Sequence, residues 1–270
     1  MTALEAWVIG VSIWGPGLEG WERSRPVLAG AEPYACRESA PPAAMALPAA
    51  ERRRCGPVVR LAMTVAGDAA ASSGLDPGVL RSVFASSNGD GTVVGSILET
   101  LAAAGPEERP VSPTQFHNSV HNAPAGYWSI AHANAQPSVC IGLYDDTFPA
   151  ALVTAIAEVV SDGVPVLMCA YDYPMPLPLG RKRPTLAPFG LGLVLAPRQD
   201  GRGMATLSLR YDPDQDSAPP LPQTEALRGL AAGNAAARGL GLLEALARGG
   251  TELQRLPYLD GSLAVHVRHA

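Results

Sequence analysis

The chain has 270 residues, of which 47% are apolar, and this proportion excludes a largely disordered protein. Its formal net charge is −5, so it lacks the basic excess that neutralises a phosphate backbone, and we expect no nucleic-acid partner. No apolar run reaches the ~18 residues of a membrane span, and the N-terminus lacks the pattern of a signal peptide. We therefore expect a cytoplasmic protein, in which the four widely spaced cysteines are free thiols.

The order of apolar patterns predicts a layered α/β arrangement, in which helices alternate with buried strands. Continuous apolar or β-branched runs predict strands over 6–14, 79–86, 138–143 and 164–171. Apolar residues that recur every three or four positions predict helices over 58–73, 93–104, 124–133 and 148–161. The glycine-containing turn over 86–92 has backbone N–H groups that suit a phosphate, but it lacks both a Gly-x-Gly-x-x-Gly motif and a Walker lysine.

The last third of the chain predicts a loop, a hairpin, a linker and a terminal extension. Four prolines predict a loop with a basic tip over 174–184. Two strands, over 190–196 and 204–210, flank a turn over 198–203 and have the signature of a β-hairpin. A helix over 227–247 and a strand over 263–267 follow. We divide the chain into a domain over 1–211, an acidic, Pro-rich linker over 212–222, and an extension over 223–270 that packs on the same core.

The densest group of candidate functional side chains lies in the segment 116–131. His117 and His121 are four residues apart and would share one helix face, as two zinc ligands do. However, the Glu of a His-Glu-x-x-His motif is absent and no third ligand is evident. Packed or hydrogen-bonded histidines are therefore favoured, and we predict neither a metal nor a cofactor.

A second group raises the question of a nucleophile. Cys140 lies in an apolar strand, and a reactive thiolate there would need a nearby base or a helix N-terminus, so a buried structural thiol is favoured. Asp145 and Asp146 are adjacent, and neither a helix nor a strand would bring their carboxylates face to face. One of them suits the N-cap of the helix that follows.

The order of these features resembles the N-terminal half of β-ketoacyl synthases, within the thiolase-like superfamily. Segments similar to the family's successive elements stand at 8–17, 21–30, 83–91, 122–131 and 166–172. The resemblance covers residues 5–210. It implies a thiolase-like α/β fold of helix and sheet layers that corresponds mainly to the N-terminal half of a ketosynthase, with a C-terminal hairpin and a helical extension.

The resemblance also implies that the family's nucleophile is missing. In catalytic members, a Gly-Pro and a short strand lead to a cysteine at the N-terminus of a buried helix. Matching Pro137 to that proline puts Asp145, or an immediate neighbour, in the place of the cysteine, while Cys140 comes several residues too early. A carboxylate cannot form the acyl thioester. The family's two histidine motifs and lysine are also missing, since His266 and His269 stand in an unrelated context, so we expect no catalytic residue.

Some members of the family are inactive chain-length factors that pair with a catalytic synthase and shape its acyl tunnel. The segment 117–130 particularly resembles the short ketosynthase-like proteins of aryl polyene gene clusters. In related factors, bulky residues of this region plug the end of the tunnel. The resemblance thus implies a tunnel wall or an interface formed by Phe116, His117, His121, Asn122, Tyr127 and Trp128.

The favoured hypothesis is a non-catalytic, chain-length-factor-like subunit that forms a heterodimer with a full β-ketoacyl-acyl carrier protein synthase. It would act in polyene, fatty-acyl or polyketide elongation, with acyl carrier protein as a further partner. Two alternatives stay open. One is an acyltransferase with Cys140 or Cys169 as its nucleophile, and the other is a homodimeric protein that binds an acyl or aromatic ligand.

Overall fold

A computed structural model describes residues 4–38, 40–105, 111–197, 203–215 and 222–270. Within these ranges the strands are β1 Leu4–Gly15, β2 Leu18–Glu19, β3 Arg81–Ala85, β4 Ser138–Ile141, β5 Val166–Asp172, β6 Phe189–Ala196, β7 Ala205–Asp212, β8 Thr251–Tyr258 and β9 Gly261–His269. The α-helices are α1 Trp21–Leu28, α2 Ala49–Arg54, α3 Pro57–Ser73, α4 Gly91–Ala103, α5 Pro113–Ser119, α6 Ala123–His132, α7 Thr147–Asp162, α8 Leu179–Lys182, α9 Arg228–Ala232 and α10 Leu240–Arg248. Short 3₁₀ turns cover Pro77–Val79, Tyr144–Asp146, Glu225–Leu227 and Ala236–Gly239.

All of these strands belong to one mixed sheet in the order β4-β3-β5-β6-β1-β7-β9-β8, with β2 paired to β1. Strand β3 runs parallel to both β4 and β5, and the other pairs are antiparallel. The carboxyl ends of β4, β3 and β5 therefore meet at one end of the sheet.

The sheet is buried on both faces because its central strands are apolar at successive positions. In β5, Val166, Met168 and Ala170 join the core cluster that contains α7 and α10. Leu167 and Tyr171 point to the opposite face and join the cluster that contains α3 and α6. The predicted layered arrangement of helices and a sheet is what the structure contains.

The hairpin predicted over 190–210 is wrong. Strands β6 and β7 do not pair with each other, because β1 lies between them. Trp7 of β1 is opposite Ala196 on one side and Thr206 on the other. Most of β1 is buried, so its backbone N–H and C=O groups need a hydrogen-bonding strand along each edge. The local pattern that suggests a hairpin contains no information about a strand that lies far away in sequence. Of the predicted turn over 198–203, residues 198–202 lie outside the described residues.

The single helix predicted over 227–247 is also wrong. The chain forms α9, then a 3₁₀ turn, then α10. Two glycines allow close packing at these breaks. A Cβ on Gly233 would lie 2.4 Å from Leu186 Cδ1, and a Cβ on Gly239 would lie 2.4 Å from Leu191 Cδ2.

The C-terminal strands continue the same sheet. The predicted strand over 263–267 is found within β9, which pairs with β7, whereas β8 was not predicted. Asp212, the first residue of the predicted linker, is the last residue of β7, and residues 216–221 lie outside the described part of the chain. Among the described residues, no helix has both the length and the apolar character needed to cross a bilayer.

Candidate functional site at the turn between β4 and α7

The turn between β4 and α7 lies where the carboxyl ends of the three parallel strands meet, which is the end where open α/β sheets bind ligands. Tyr144 in this turn has a φ of 50°, in the left-handed region that few residues other than glycine adopt. Thr147 fixes the conformation, since its Oγ1 accepts a hydrogen bond from Leu143 N (2.9 Å) and donates one to Tyr144 O (2.7 Å). Such constrained backbone is characteristic of functional turns.

Asp145, the residue predicted to stand at or beside the nucleophile position, is held by two arginines. Its Oδ1 lies 2.5 Å from Arg183 Nη1, and its Oδ2 lies 3.0 Å from Arg238 Nη2. Arg183 also stacks over the Tyr144 ring at 3.7 Å and donates from Nε to Asn88 Oδ1 (3.3 Å). Both carboxylate oxygens of Asp145 therefore form ion pairs. Through Arg183 they link the turn to the segment after α8, and through Arg238 they link it to the 3₁₀ turn before α10.

Asp146 stands at the N-cap position of α7, but its side chain does not cap the helix. Its Oδ2 instead accepts a hydrogen bond from Leu259 N at 2.9 Å, and its Oδ1 lies 3.8 Å from Arg238 Nη1. The predicted N-cap position is confirmed, but the predicted capping hydrogen bond is wrong, because the turn between β8 and β9 reaches Asp146. Sequence alone does not reveal that neighbour.

Asp172, at the end of β5, is a site residue that the sequence analysis missed. It is fully buried, and its Oδ1 accepts hydrogen bonds from the hydroxyl groups of Ser86 and Ser87 and from the backbone N–H groups of Ser87 and Asn88. Its Oδ2 accepts one from Ala236 N. Burial raises the pKa of Asp172, and the hydrogen bonds from the two serines and the backbone oppose that shift. The available signal was a lone carboxylate after the apolar run 166–171.

The cysteines of the alternative nucleophile hypothesis lie within strands β4 and β5 and not in the turn itself. Cys140 is in β4 opposite Phe84, and burial raises the pKa of its thiol. Cys169 is fully buried in β5, its thiol donates to Ala62 O, and burial raises its pKa well above the ordinary range. Since the thiolate is the reactive form, burial disfavours nucleophilic chemistry at both sulfurs.

His117 and His121 do not share a helix face, and that prediction is wrong. Helix α5 ends at Ser119, and Pro124 at the start of α6 does not permit the two segments to join as one helix. His117 packs edge-on against Tyr127 with ring centroids 6.0 Å apart. His121 Nε2 lies 2.9 Å from the carbonyl oxygen of Ser86, at the sheet end that carries the candidate site. Within the described ranges, no cluster of three His, Cys, Asp or Glu side chains is placed to hold a metal ion.

The other residues predicted for a tunnel or interface divide into two groups. Tyr127 and Trp128 are buried in the core, where Tyr127 OH donates to Asn118 Oδ1 (2.9 Å) and the Trp128 ring lies 6.3 Å from that of Phe84. Phe116 and Asn122 are exposed. Only the second pair is placed to touch another molecule directly.

A group of exposed apolar side chains lies on α4, α5 and α6 and around β4. Helix α4 buries only Gly91 and Gly95, although most of its residues are apolar. Strand β4 is the last in the sheet order, so within the described ranges its outer edge has no paired strand. We call these side chains the β4-side apolar surface: Leu98, Leu101, Phe116, Val120, Ile130 and Leu143.

These layers around a mixed sheet, with a constrained strand–turn–helix at the ends of the parallel strands, define the thiolase-like ketosynthase fold, as the sequence predicted. Residues 29–254 match the family described as β-ketoacyl synthase, N-terminal domain. The chain belongs to this family. No curated protein sequence matches it significantly.

Solved ketosynthase structures share the fold across almost the whole chain. One is a complex of the ketosynthase ApeO with its chain length factor ApeC from Xenorhabdus doucetiae, with a TM-score of 0.67, 21% identity, and coverage of 98% of this chain and 99% of that one. A second is the AntDE:AntF complex of a type II polyketide acyl-carrier protein with its ketosynthase, with a TM-score of 0.73, 12% identity and full coverage of both chains. A third is the ishigamide ketosynthase/chain length factor, with a TM-score of 0.70, 14% identity, and coverage of 97% and 98%.

Proposed function

We propose that this chain is a non-catalytic, chain-length-factor-like subunit that pairs with a catalytic β-ketoacyl synthase in polyene, fatty-acyl or polyketide elongation. The observation that carries the proposal is the turn between β4 and α7. There, Tyr144, Asp145 and Asp146 stand where the family's nucleophilic cysteine is expected, and two arginines bind the Asp145 carboxylate. A carboxylate held in this way cannot carry an acyl group as a thioester.

The open end of the sheet supports the pairing. Strand β4 contains no charged residue, and the β4-side apolar surface flanks it. Exposed apolar patches and unpaired strand edges are features that monomeric proteins avoid and that interfaces use. Two of the structurally similar proteins are named as ketosynthase and chain length factor together. We infer that a synthase covers the β4 end of this chain.

Acyl carrier protein is proposed as a further partner, which acts together with the synthase. A carrier protein is bound to its ketosynthase in one of the similar structures. For this chain we propose that the carrier protein delivers its acyl group to the partner's active site. The chain itself would help to shape the space that receives the growing acyl group.

Co-expression with each catalytic β-ketoacyl synthase of the same organism tests the pairing. Light scattering after size-exclusion chromatography should show a one-to-one heterodimer with one of them. A monodisperse monomer that co-purifies with none of these synthases contradicts the proposal. A stable homodimer that excludes every synthase favours the ligand-binding alternative.

Intact-mass measurement tests the absence of catalysis. The chain is incubated with acyl-carrier-protein thioesters, and a catalytic synthase serves as the positive control. We expect an acyl adduct on the control and none on this chain. An adduct on Cys140 or Cys169 would support the acyltransferase alternative, because it would show that the thiol is reactive although it is buried.

A further inference from the structure

A cleft of about 430 Å³ adjoins Asp145, lined also by residues within 183–186 and 229–238. Its volume lies within the range of ~300–1,000 Å³ that is typical of small-molecule sites. We propose that this cleft binds a small organic acid, a carboxylate or a phosphate ester, with its oxyanion between Arg183 and Arg238. This inference does not depend on the synthase partner, because a chain that binds no synthase would still contain the cleft.

The two arginines are held in place before any ligand arrives. The side chain of Arg183 is 18% exposed and that of Arg238 is 17% exposed, so the surrounding protein shields much of each charge from water. Arg183 is further fixed by Asn88 and by the ring of Tyr144. A pre-organised guanidinium loses less entropy when it binds an oxyanion, and its planar fork matches carboxylate and phosphate geometry.

The contacts of Asp145 show that one oxyanion can span both guanidinium groups. Each of its carboxylate oxygens bonds a different arginine, at 2.5 Å to Arg183 and 3.0 Å to Arg238. A guanidinium has five N–H donors, and Asp145 occupies only a part of them. Because Asp145 is partly exposed, a ligand oxyanion can share the arginines with it or replace it.

The charges on the cleft wall favour an anion although the whole chain is acidic. The charged side chains that line the cleft are Arg183, Arg238 and Asp145, which together carry a net positive charge. Asp146, which is outside the lining, lies 3.8 Å from Arg238 and offsets part of that positive charge. The lining itself thus has one more positive than negative charge, which favours an anionic ligand over a cationic one.

The rest of the cleft wall suits an apolar body attached to the acid group. Leu186 is exposed and packs over Gly233, where a Cβ would lie 2.4 Å from its Cδ1. Ala232 and Ala235 add small apolar surfaces. We therefore expect an acid with a short alkyl chain to bind more tightly than its head group alone.

Isothermal titration of the purified full-length chain tests the site with hexanoate and butyl phosphate as probes, and with hexan-1-ol as the uncharged control. We expect at least one acid to bind and the alcohol not to bind, and the acid that binds identifies the preferred oxyanion. Arg238→Gln should weaken binding about tenfold or more, because it removes charge-assisted hydrogen bonds. Arg210→Gln, an exposed arginine on β7 outside the cleft wall, is the matched control and should bind like the original chain.

Asp145→Asn provides an independent readout if Arg238→Gln impairs folding. It removes the internal anion while keeping the side-chain shape, so the acid should bind several-fold more tightly. A role of Asp145 that is only structural predicts no such gain. Failure of both acids to bind either the original chain or Asp145→Asn overturns the proposal, and so does unchanged binding in a folded Arg238→Gln variant.

Discussion

The two outermost strands of the sheet, β4 and β8, differ in how their free edges are protected. Strand β4 reads Ser-Val-Cys-Ile and has no charged residue. Strand β8 carries Glu252, Arg255 and Pro257. Arg248 of α10 binds Glu252 with two hydrogen bonds of 2.8 Å. Charges and proline on an outer strand oppose pairing with another chain. The residues of β8 therefore disfavour pairing at its free edge, whereas the residues of β4 do not.

This difference indicates at which end of the sheet a partner protein binds. Exposed apolar residues lie on α4, α5 and α6, the helices between β3 and β4 in the chain, whereas the ion pair of Glu252 lies at β8. Leu253 is also exposed on β8, so the contrast between the two ends depends on the charges and the proline of β8. The comparison therefore favours a single partner-binding end, and the following variants test it from the largest expected effect to the smallest.

Ile130→Arg should strongly weaken the complex with a catalytic synthase. Ile130 is 49% exposed on the β4 side, and Leu253, at 44% exposed, is its matched counterpart on β8. A charge in an apolar interface should weaken binding by roughly 100-fold or more, whereas Leu253→Arg should leave it unchanged. Size-exclusion chromatography and titration measure both. Equal effects of the two variants would remove the distinction between the ends.

Asp172→Ala should destabilise the free chain by roughly 3 kcal/mol or more, since it leaves several buried donors without an acceptor. Asp172 joins the turn after β3 to the 3₁₀ turn before α10, so its hydrogen bonds hold two distant segments together. Urea unfolding measures the change. Glu99→Ala, at an exposed site on α4, should change stability by no more than about 0.5 kcal/mol. A similar loss in both variants would show that Asp172 is not an anchor.

The double variant Glu252→Val and Arg255→Val should make β8 resemble β4. With its charges removed, the free edge should pair with other copies, and light scattering should show self-association that increases with protein concentration. The same measurement on Thr251→Val, a change on β8 that removes no charge, is the control. A double variant that remains monomeric at every concentration would show that charge does not protect this edge.

The smallest effect concerns pH. The hydrogen bond from Arg248 lowers the pKa of Glu252 below its ordinary value of 4.5. A lowered folded-state pKa stabilises the protein above the unfolded value, and that contribution disappears as the pH falls through the folded value. The ion pair is partly exposed, so it should be worth at most about 1 kcal/mol. The stability difference between the original chain and Glu252→Gln should thus shrink below pH 4.5, and a constant difference down to acid unfolding would refute this assignment.

The sequence predicts the parts of the fold that depend on local patterns. The apolar run of β5 and the regular spacing in α3 identify these elements because burial on two faces or on one leaves a distinct pattern. The sequence contains no comparable pattern that shows which strands pair with each other in the sheet. Strands β6 and β7 look like a hairpin, and only the three-dimensional structure places β1 between them.

The candidate site is predictable only in part for the same reason. A family resemblance singles out Asp145, because the nucleophile position can be counted along the chain. Arg183 and Arg238 lie far from Asp145 in sequence, and no spacing rule connects the three. Asp172 carries a weak local signal, a carboxylate at the end of an apolar strand, but its partners on two distant turns are visible only in the fold.

The central position of β1 also constrains how the chain acquires its structure during synthesis. Residues 4–15 are synthesised before β6 and β7, their two neighbours in the sheet, and β3, β4 and β5 are made in between. Until then, among the strands that the structure describes, β2 alone is available to pair with β1. Such pairing between strands far apart in sequence slows folding and prolongs the exposure of aggregation-prone apolar segments. The nascent chain should therefore depend on chaperones until β7 has emerged.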